Sequence, residues 1–158
     1  MPRWFERRIP PPVIDAACAG LMWWLAGQAP WAQCWPRGGG ALVWAAALAL
    51  ALAGALIALA GLREFARART TFNPLASGRA SRLVASGIFG LSRNPMYLGM
   101  LLALAGWGVW LGNAAAWLAL PLMMAALHVL QIAPEERALR QRFGDEFDRY
   151  AARVRRWL

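Results

Sequence analysis

The sequence has few charged residues and no lysine. Charged residues make up only 16% of its 158 positions, whereas hydrophobic residues make up 59%. A soluble domain usually has about 25% charged residues and about 45–50% apolar residues. This imbalance argues against a soluble enzyme and against a disordered chain, and it favours a small integral membrane protein.

Cysteine and histidine are also scarce, which limits the chemistry open to a metal or a disulfide. The two cysteines, Cys18 and Cys34, form no CxxC pair, so they support neither a disulfide framework nor a thiolate metal site. His128 is the only histidine, which excludes a metal site built from several histidines. We therefore predict no metal.

The basic residues are all arginines, 17 against eight acids, and the net charge is +9. Such an excess would suit a nucleic-acid-binding protein. Here the arginines instead flank apolar runs, with sixteen of the 17 in positions 1–12, 62–94 and 134–158. Arginine-rich segments of membrane proteins stay on the cytoplasmic side. We predict a membrane as the partner, no nucleic acid, and both termini in the cytoplasm.

Four apolar stretches can cross a bilayer, whose core of about 30 Å takes roughly 20 residues of helix. They cover positions 13–35, 41–61, 95–112 and 114–133. The second contains no charge, whereas the first contains Asp15, Gln28 and Pro30. We predict an all-α integral membrane protein with four transmembrane helices in a single domain over 1–158. A cytoplasmic loop at 62–94 and a cytoplasmic tail at 134–158 complete it.

The tail has the pattern of a C-terminal amphipathic helix. Its apolar residues recur every three or four positions, at Leu139, Phe143, Phe147, Tyr150, Val154 and Trp157. Arginines and acids occupy positions between them, which is typical of a helix that lies on the membrane surface or across the mouth of a bundle. Gly144 is the position at which this helix could divide in two.

Polar residues gather at positions 92–99, just before the third predicted span. Asn94 is a residue type that caps helix starts, and Pro95 suits the first helical position; Arg93 would then be an ordinary interfacial cation. A second interpretation uses the same geometry. A helix start can hold an anion, Arg93 can add a bidentate contact, and Tyr97 brings a hydroxyl to membrane depth.

A pair of acids, Glu135 and Glu136, follows the fourth predicted span. Acids at a helix start interact favourably with the helix dipole, and Glu136 can pair with Arg140 four positions later. The alternative is a pair of anions that receives a cationic ligand at the membrane boundary. Inside the span, His128 and Gln131 lie on nearly one face, where polar side chains usually meet a cavity or a partner.

Together these clusters resemble the isoprenylcysteine carboxyl methyltransferase family of integral membrane methyltransferases. That family has an Arg-His-Pro-x-Tyr-x-Gly block, then one helical hairpin later a Glu-Glu pair, followed by Leu, Phe-Gly, Tyr and Val-Arg. The matching residues here are Arg93, Asn94, Pro95, Tyr97, Gly99, Glu135, Glu136, Leu139, Phe143, Gly144, Tyr150, Val154 and Arg155. The stretches 70–74 and 87–89 are similar to the bacterial branch, which implies a bacterial cytoplasmic membrane.

The resemblance implies S-adenosylmethionine as the methyl donor, bound at the cytosolic ends of the last two spans. Matched residue by residue, it implies these cofactor-binding residues: Arg93, Asn94, Pro95, Tyr97, Glu135 and Glu136. We add His128 and Gln131 from their position rather than from the motif. Asn94 stands where the family has histidine. An asparagine can orient a cofactor by hydrogen bonding, but it cannot accept a proton near neutral pH.

The resemblance also implies a lipophilic methyl acceptor, either the carboxylate of an isoprenylcysteine-like group or a lipid amine. A carboxylate needs alignment and exclusion of water rather than a covalent enzyme nucleophile. An amine must lose a proton, which makes Glu135, Glu136 and His128 the candidate catalytic residues. Two other functions stay open: a small four-helix transporter, for which only Asp15 offers a charge within the spans, and a non-enzymatic scaffold whose basic tail holds anionic lipid.

Overall fold

The computed structural model describes residues 9–69 and 82–158, and these residues fold almost entirely into helices. The α-helices are α1 (Pro11–Gln28), α2 (Gly40–Ala68), α3 (Pro95–Leu111), α4 (Ala119–Leu127), α5 (Ala133–Phe143) and α6 (Asp145–Arg153). Short 3₁₀ turns cover Pro30–Ala32, Gly87–Gly90 and Ala114–Leu118, and a π-helical turn covers His128–Ile132. The all-α prediction is confirmed for the part of the chain that is described.

The first helix is shorter than predicted and the second is longer. α1 ends at Gln28 instead of reaching position 35, because Pro30 lacks the N–H that a continuing helix would need. α2 continues to Ala68, so positions 62–68, predicted as loop, are helical. Within this extension Glu64 pairs with Arg67 one turn later, at 2.9 Å, which supports the added turns.

The third predicted span, 95–112, agrees with α3 to within one residue. Pro95 stands at the first helical position, where its missing N–H costs nothing. Gly112 ends the helix with a φ of 65°, a left-handed conformation that glycine adopts without strain.

The fourth predicted span is the first part of a longer helical rod, Ala114–Phe143. The rod widens into the π turn, where the Ala133 N–H donates to the His128 carbonyl five residues earlier. Pro134 explains this widening, because its ring collides with the carbonyl four residues before it and it has no N–H to donate. The helix then continues past the predicted end at position 133.

The tail forms two helices and an extended end rather than one amphipathic helix over 134–158. Gly144 separates α5 from α6 with a φ of 49°, as its place in the pattern suggested. Phe147 and Tyr150 of the predicted apolar face are buried. α6 ends at Arg153, and Val154 is extended, so the last two apolar positions of the pattern lie outside any helix.

Side-chain contacts show that α1 and the helical rod Ala114–Phe143 are antiparallel. Gln131 Nε2 donates to the Ile9 carbonyl at 2.6 Å, beside the start of α1. At the other end of the rod, Asn113 Nδ2 donates to the Ala29 carbonyl at 2.8 Å. The buried core lies between α1, α3 and this rod and is almost wholly apolar.

The two ends of the helix bundle differ in chemistry. Glu64, Arg93 and Glu136 lie at one end, which we call the polar end. The indole rings of Trp23, Trp107 and Trp110 stack at the other, which we call the aromatic end. The described termini lie at the polar end.

α2 presents most of its apolar surface outward. More than half of each of these side chains is exposed: Leu42, Leu48, Leu52, Leu56 and Leu59. Only 6% of its most apolar 18-residue window is buried, whereas the core helix of a soluble protein would be mostly buried. An exposed apolar surface of this extent is typical of contact with a membrane or with another protein.

Two described helices, α2 and the rod Ala114–Phe143, are long and apolar enough to cross a membrane. α3 is apolar but shorter, at 17 residues, and α1 contains Asp15. The two long helices favour a membrane location. The count of four spans stays a prediction.

Glycine allows α2 and α3 to approach closely. A Cβ added to Gly54 would overlap the Gly99 carbonyl oxygen, and one added to Gly99 would overlap that of Gly54. Further along, a Cβ on Gly106 would lie 2.6 Å from the Ala47 carbonyl oxygen. Small residues in membrane helices permit this backbone contact, which fixes the start of α3 against the end of α2.

We expect Gly54→Ala to destabilise the fold by about 1–3 kcal/mol, the usual cost of forcing a methyl group into a packed interface. The measurement is the thermal unfolding midpoint of the purified protein in detergent. The control is Gly20→Ala, because a Cβ there meets nothing within 4 Å. Equal stability of the two variants would refute the close contact.

We also expect reporter fusions after Arg37 and after Leu158 to report opposite sides of the membrane. Arg37 lies over the Trp23 ring at the aromatic end, 4.7 Å from its centroid, and the C-terminal residues lie at the polar end. The arginine distribution predicts that the polar end is cytoplasmic. The same side for both fusions would contradict this topology.

Candidate active site at the polar end

An ion pair between Arg93 and Glu136 joins the two polar clusters. Arg93 stands just before α3, and Glu136 lies in the first turn of α5. Arg93 Nη2 is 2.9 Å from Glu136 Oε1, and both side chains are only 12% exposed. A buried charge is costly unless it is paired and hydrogen-bonded. The pair therefore holds the start of α3 against the helical rod Ala114–Phe143.

Arg156 completes this arrangement from the C-terminal end of the chain. It donates from Nε to Glu136 Oε1 at 3.0 Å and from Nη2 to Oε2 at 2.8 Å. A guanidinium matches a carboxylate well in such a two-point contact. The hydrogen bond to Glu136, together with its charge, raises the pKa of Arg156 above the usual value, so this side chain stays positively charged.

The last residues also bind the start of α3 through their backbone, and we call residues 154–158 the C-terminal strap. The Arg93 N–H donates to the Arg155 carbonyl at 2.9 Å. Asn94 Nδ2 and Ser92 Oγ both donate to the Arg156 carbonyl, at 2.9 and 3.2 Å. The strap therefore fastens the residues that precede α3.

Two local interactions expected from the sequence are replaced by contacts with distant residues. The Asn94 side chain makes no capping hydrogen bond to α3; it binds the strap, and only its backbone carbonyl accepts from the Leu98 N–H. Glu136 does not pair with Arg140, which contacts Asp148 at 2.7 Å instead. In both cases a long-range partner displaces the local one.

A small pocket, with about 30 Å³ of free space, opens beside the ion pair. Its lining combines the residues before and within the start of α3 with aromatic side chains and one acid: Phe65, Phe89, Arg93, Asn94, Pro95, Met96, Tyr97 and Glu135. Five of the predicted cofactor residues therefore line one pocket, and a sixth, Glu136, lies directly behind it.

The pocket offers polar groups of opposite character. Arg93 Nε is buried and has no hydrogen-bond partner among the described residues, so it is a donor that awaits an acceptor. Glu135 provides a carboxylate, whose Oε2 accepts from the buried Tyr97 hydroxyl at 3.3 Å. An acceptor on a ligand would satisfy Arg93 Nε, and a positive charge on the same ligand would suit the Glu135 carboxylate.

The aromatic wall of the pocket depends on a contact between α2 and the turn Gly87–Gly90. Glu64 Oε2 accepts from Ser86 Oγ at 2.7 Å. Gly87 lies directly against this carboxylate, with a φ of 56° and room for no Cβ, which would be 2.6 Å from Glu64 Cδ. The turn then places the Phe89 ring edge-on to Phe65, with centroids 5.1 Å apart.

α6 holds the same turn from the other side. The Tyr150 hydroxyl donates to the Phe89 carbonyl at 2.8 Å. Burial raises the pKa of Tyr150 to about 12, against the opposing charge of Arg93, so the hydroxyl keeps the proton that it donates. Tyr150 therefore supports the pocket without lining it.

Sequence reasoning missed the supporting residues Glu64, Phe65, Ser86 and Arg156. Glu64 carried a usable signal, because it is the one acid in the arginine-rich stretch 62–94. Arg156 directly follows the last matched motif residue, and nothing local distinguishes it from its neighbours. The family-like stretch 70–74 lies outside the described residues, as do Arg3, Arg7, Arg8 and Arg79.

The structure does not bring His128 and Gln131 into this pocket. His128 is half-buried and is not among the lining residues. Gln131 is fully buried and turns toward Ile9.

A family model described as phospholipid methyltransferase matches residues 42–146. The match covers more than half of the chain and includes α2, α3 and the acid pair. The chain belongs to the phospholipid methyltransferase family. This confirms the resemblance to membrane methyltransferases that the residues around Arg93 and Glu136 indicated, and it makes the chain a membrane methyltransferase by family.

Individual relatives match shorter segments of the chain. An uncharacterized protein of Haemophilus influenzae is 49% identical over 63 residues, which are 40% of this chain and all of the relative. Two rice proteins, from subspecies indica and japonica, are each called probable protein-S-isoprenylcysteine O-methyltransferase. Each is 36% identical over 73 residues, which are 46% of this chain and only 38% of the rice protein. No solved structure matches.

We expect Asn94→Leu to lower the free energy of unfolding by about 1 kcal/mol or more, because it removes the donor to the buried Arg156 carbonyl. Asn94→His retains an N–H donor, so it should lose less stability and keep activity within about tenfold. Thermal unfolding and methyl transfer by the two purified variants provide the measurement. Equal losses in both would show that the hydrogen bond to the strap is not what Asn94 contributes.

Proposed function

We propose that this protein is an S-adenosylmethionine-dependent methyltransferase that methylates a lipophilic acceptor in the membrane. The observation that carries the proposal is a pocket lined by Arg93, whose Nε has no hydrogen-bond partner among the described residues, and by the Glu135 carboxylate. Family membership supports methyl transfer. The rice relatives' name extends the support to a lipophilic carboxylate, and the family description extends it to a phospholipid.

The residues of the pocket fit S-adenosylmethionine in chemical type. The donor has a carboxylate that can accept from Arg93 Nε, and an ammonium and a sulfonium whose positive charge suits Glu135. Its adenine ring needs apolar and aromatic neighbours, which Phe65, Phe89 and Met96 provide. When bound, S-adenosylmethionine supplies a methyl group activated by the adjacent sulfonium charge.

The protein's own residues orient the ligand and exclude water from it. Arg93 is held by Glu136 and by the Ala151 carbonyl, 3.2 Å from Nη1, so it orients a ligand without rearranging. Phe65 and Phe89 exclude water from one wall, which favours transfer from a sulfonium to an anion. For an amine acceptor, a proton must leave the nitrogen, and Glu135 is the pocket carboxylate that can take it.

The place of the pocket suits an acceptor that arrives through the bilayer. It lies where α2 and α3 meet the polar end, within two helical turns of the outward-facing Leu59 on α2. We further propose that both termini and the polar end face the cytoplasm, where the cofactor is available. The arginine-rich segments at this end support that orientation.

The first experiment is calorimetric titration of S-adenosylmethionine into the detergent-purified protein and into Glu136→Ala. Removing a charge-assisted contact that holds Arg93 costs roughly 1.5–3 kcal/mol, so affinity should fall at least about tenfold. Glu146→Ala is the matched control, because Glu146 is an exposed acid on α6. Membrane insertion should be unchanged in both variants.

A wild-type protein that binds no S-adenosylmethionine would overturn the proposed function. Unchanged affinity in Glu136→Ala would instead limit the acid to a structural role, in which it joins Arg93 to Arg156. Offering a prenylated thiol acid and an aminophospholipid to the binding-competent protein then separates the carboxylate acceptor from the amine.

A further inference from the structure

Two guanidinium groups share the Glu136 carboxylate: that of Arg93, which precedes α3, and that of Arg156 in the C-terminal strap. Arg93 contacts Oε1 alone, at 2.9 Å. Arg156 contacts both oxygens, at 3.0 and 2.8 Å. Because Arg156 occupies both oxygens, it restricts rotation of the carboxylate, which the single contact from Arg93 could not do.

The orientation of Arg93 depends in turn on this carboxylate. Its Nη2 binds Glu136 and its Nη1 binds the Ala151 carbonyl, and the Arg93 side chain held by these two contacts lines the pocket. A guanidinium is planar, so fixing its two terminal nitrogens also fixes the direction of the Nε–H. Any rotation of the Glu136 carboxylate would therefore change the direction of the Arg93 Nε–H.

We propose that Arg156 is a positioning residue of the cofactor site, which holds Arg93 in its ligand-binding orientation by way of Glu136. The C-terminal strap is then part of the binding site, although its side chains do not line the pocket. This inference rests on the proposed function, since it assigns a role in binding S-adenosylmethionine. It goes beyond the family motif, whose matched residues end at Arg155.

The backbone of the strap supports this role. The Arg156 carbonyl accepts from Asn94 and Ser92, which keeps the Arg156 side chain close to Glu136. The Arg156 side chain is 43% exposed, whereas those of Arg93 and Glu136 are 12% exposed. Replacing Arg156 should therefore disturb folding less than replacing either of its partners.

The test is a double-mutant cycle on S-adenosylmethionine affinity with Arg156→Gln, Glu136→Gln and the double variant, measured by calorimetry. We expect Arg156→Gln to weaken binding about tenfold in the wild-type background. In the Glu136→Gln background the same change should weaken it less than about twofold, because Arg156 acts through that carboxylate. Arg156→Lys keeps the charge but loses the two-point contact, so it should recover only part of the affinity.

The control is Arg153→Gln, which removes an exposed arginine from the end of α6 and should leave both affinity and the ligand-free unfolding midpoint unchanged. Should Arg156→Gln fail to fold, Arg156→Lys gives the same cycle. Wild-type affinity in the Arg156 variants, or equal losses in both backgrounds, would overturn this inference alone. Absence of binding by the wild-type protein would overturn the proposed function and this inference with it.

Discussion

The buried ion pair between Arg93 and Glu136 is the interaction on which the polar end of this protein depends. Two charges with side chains only 12% exposed are costly to remove from water, and breaking one such pair typically costs about 3–5 kcal/mol. The structure offsets that cost with a second guanidinium from Arg156 and with a backbone carbonyl from Ala151. Residues far apart in the chain are thereby held within one hydrogen-bonded network.

The rest of the site follows from keeping this pair in place. The glycine contact between α2 and α3 sets the position of the helix that Arg93 precedes. Glu64 and Tyr150 fix the turn Gly87–Gly90 on its two sides, and this turn provides the aromatic wall. The pocket is therefore bounded by elements that these contacts hold in place, and Arg93, which lines it, has a buried Nε without a hydrogen-bond partner among the described residues.

Local chemistry in the sequence was enough to predict the helical class and the start of α3 at Pro95, and the family resemblance predicted five of the residues that line the pocket. Those features depend on apolar run length, on proline at a first helical turn and on an ordered motif. The end of α1 and the π turn depend on proline residues within or after a helix. The extension of α2 includes an ion pair between residues one turn apart. The roles of Asn94 and Glu136 depend on the C-terminal strap, which approaches them from more than fifteen positions away. No local pattern could have identified that partner.

The most direct test of this account is ultraviolet crosslinking of radiolabelled S-adenosylmethionine to the purified protein, followed by mapping of the labelled residues. We predict label in the peptides that contain Phe89, Tyr97 or Glu135, with excess unlabelled cofactor competing it away. The tryptophan cluster at the aromatic end is an internal comparison, since its rings are photoreactive but distant from the pocket. Label confined to Trp23, Trp107 or Trp110, or no competable label in a folded protein, would contradict a cofactor site at the polar end.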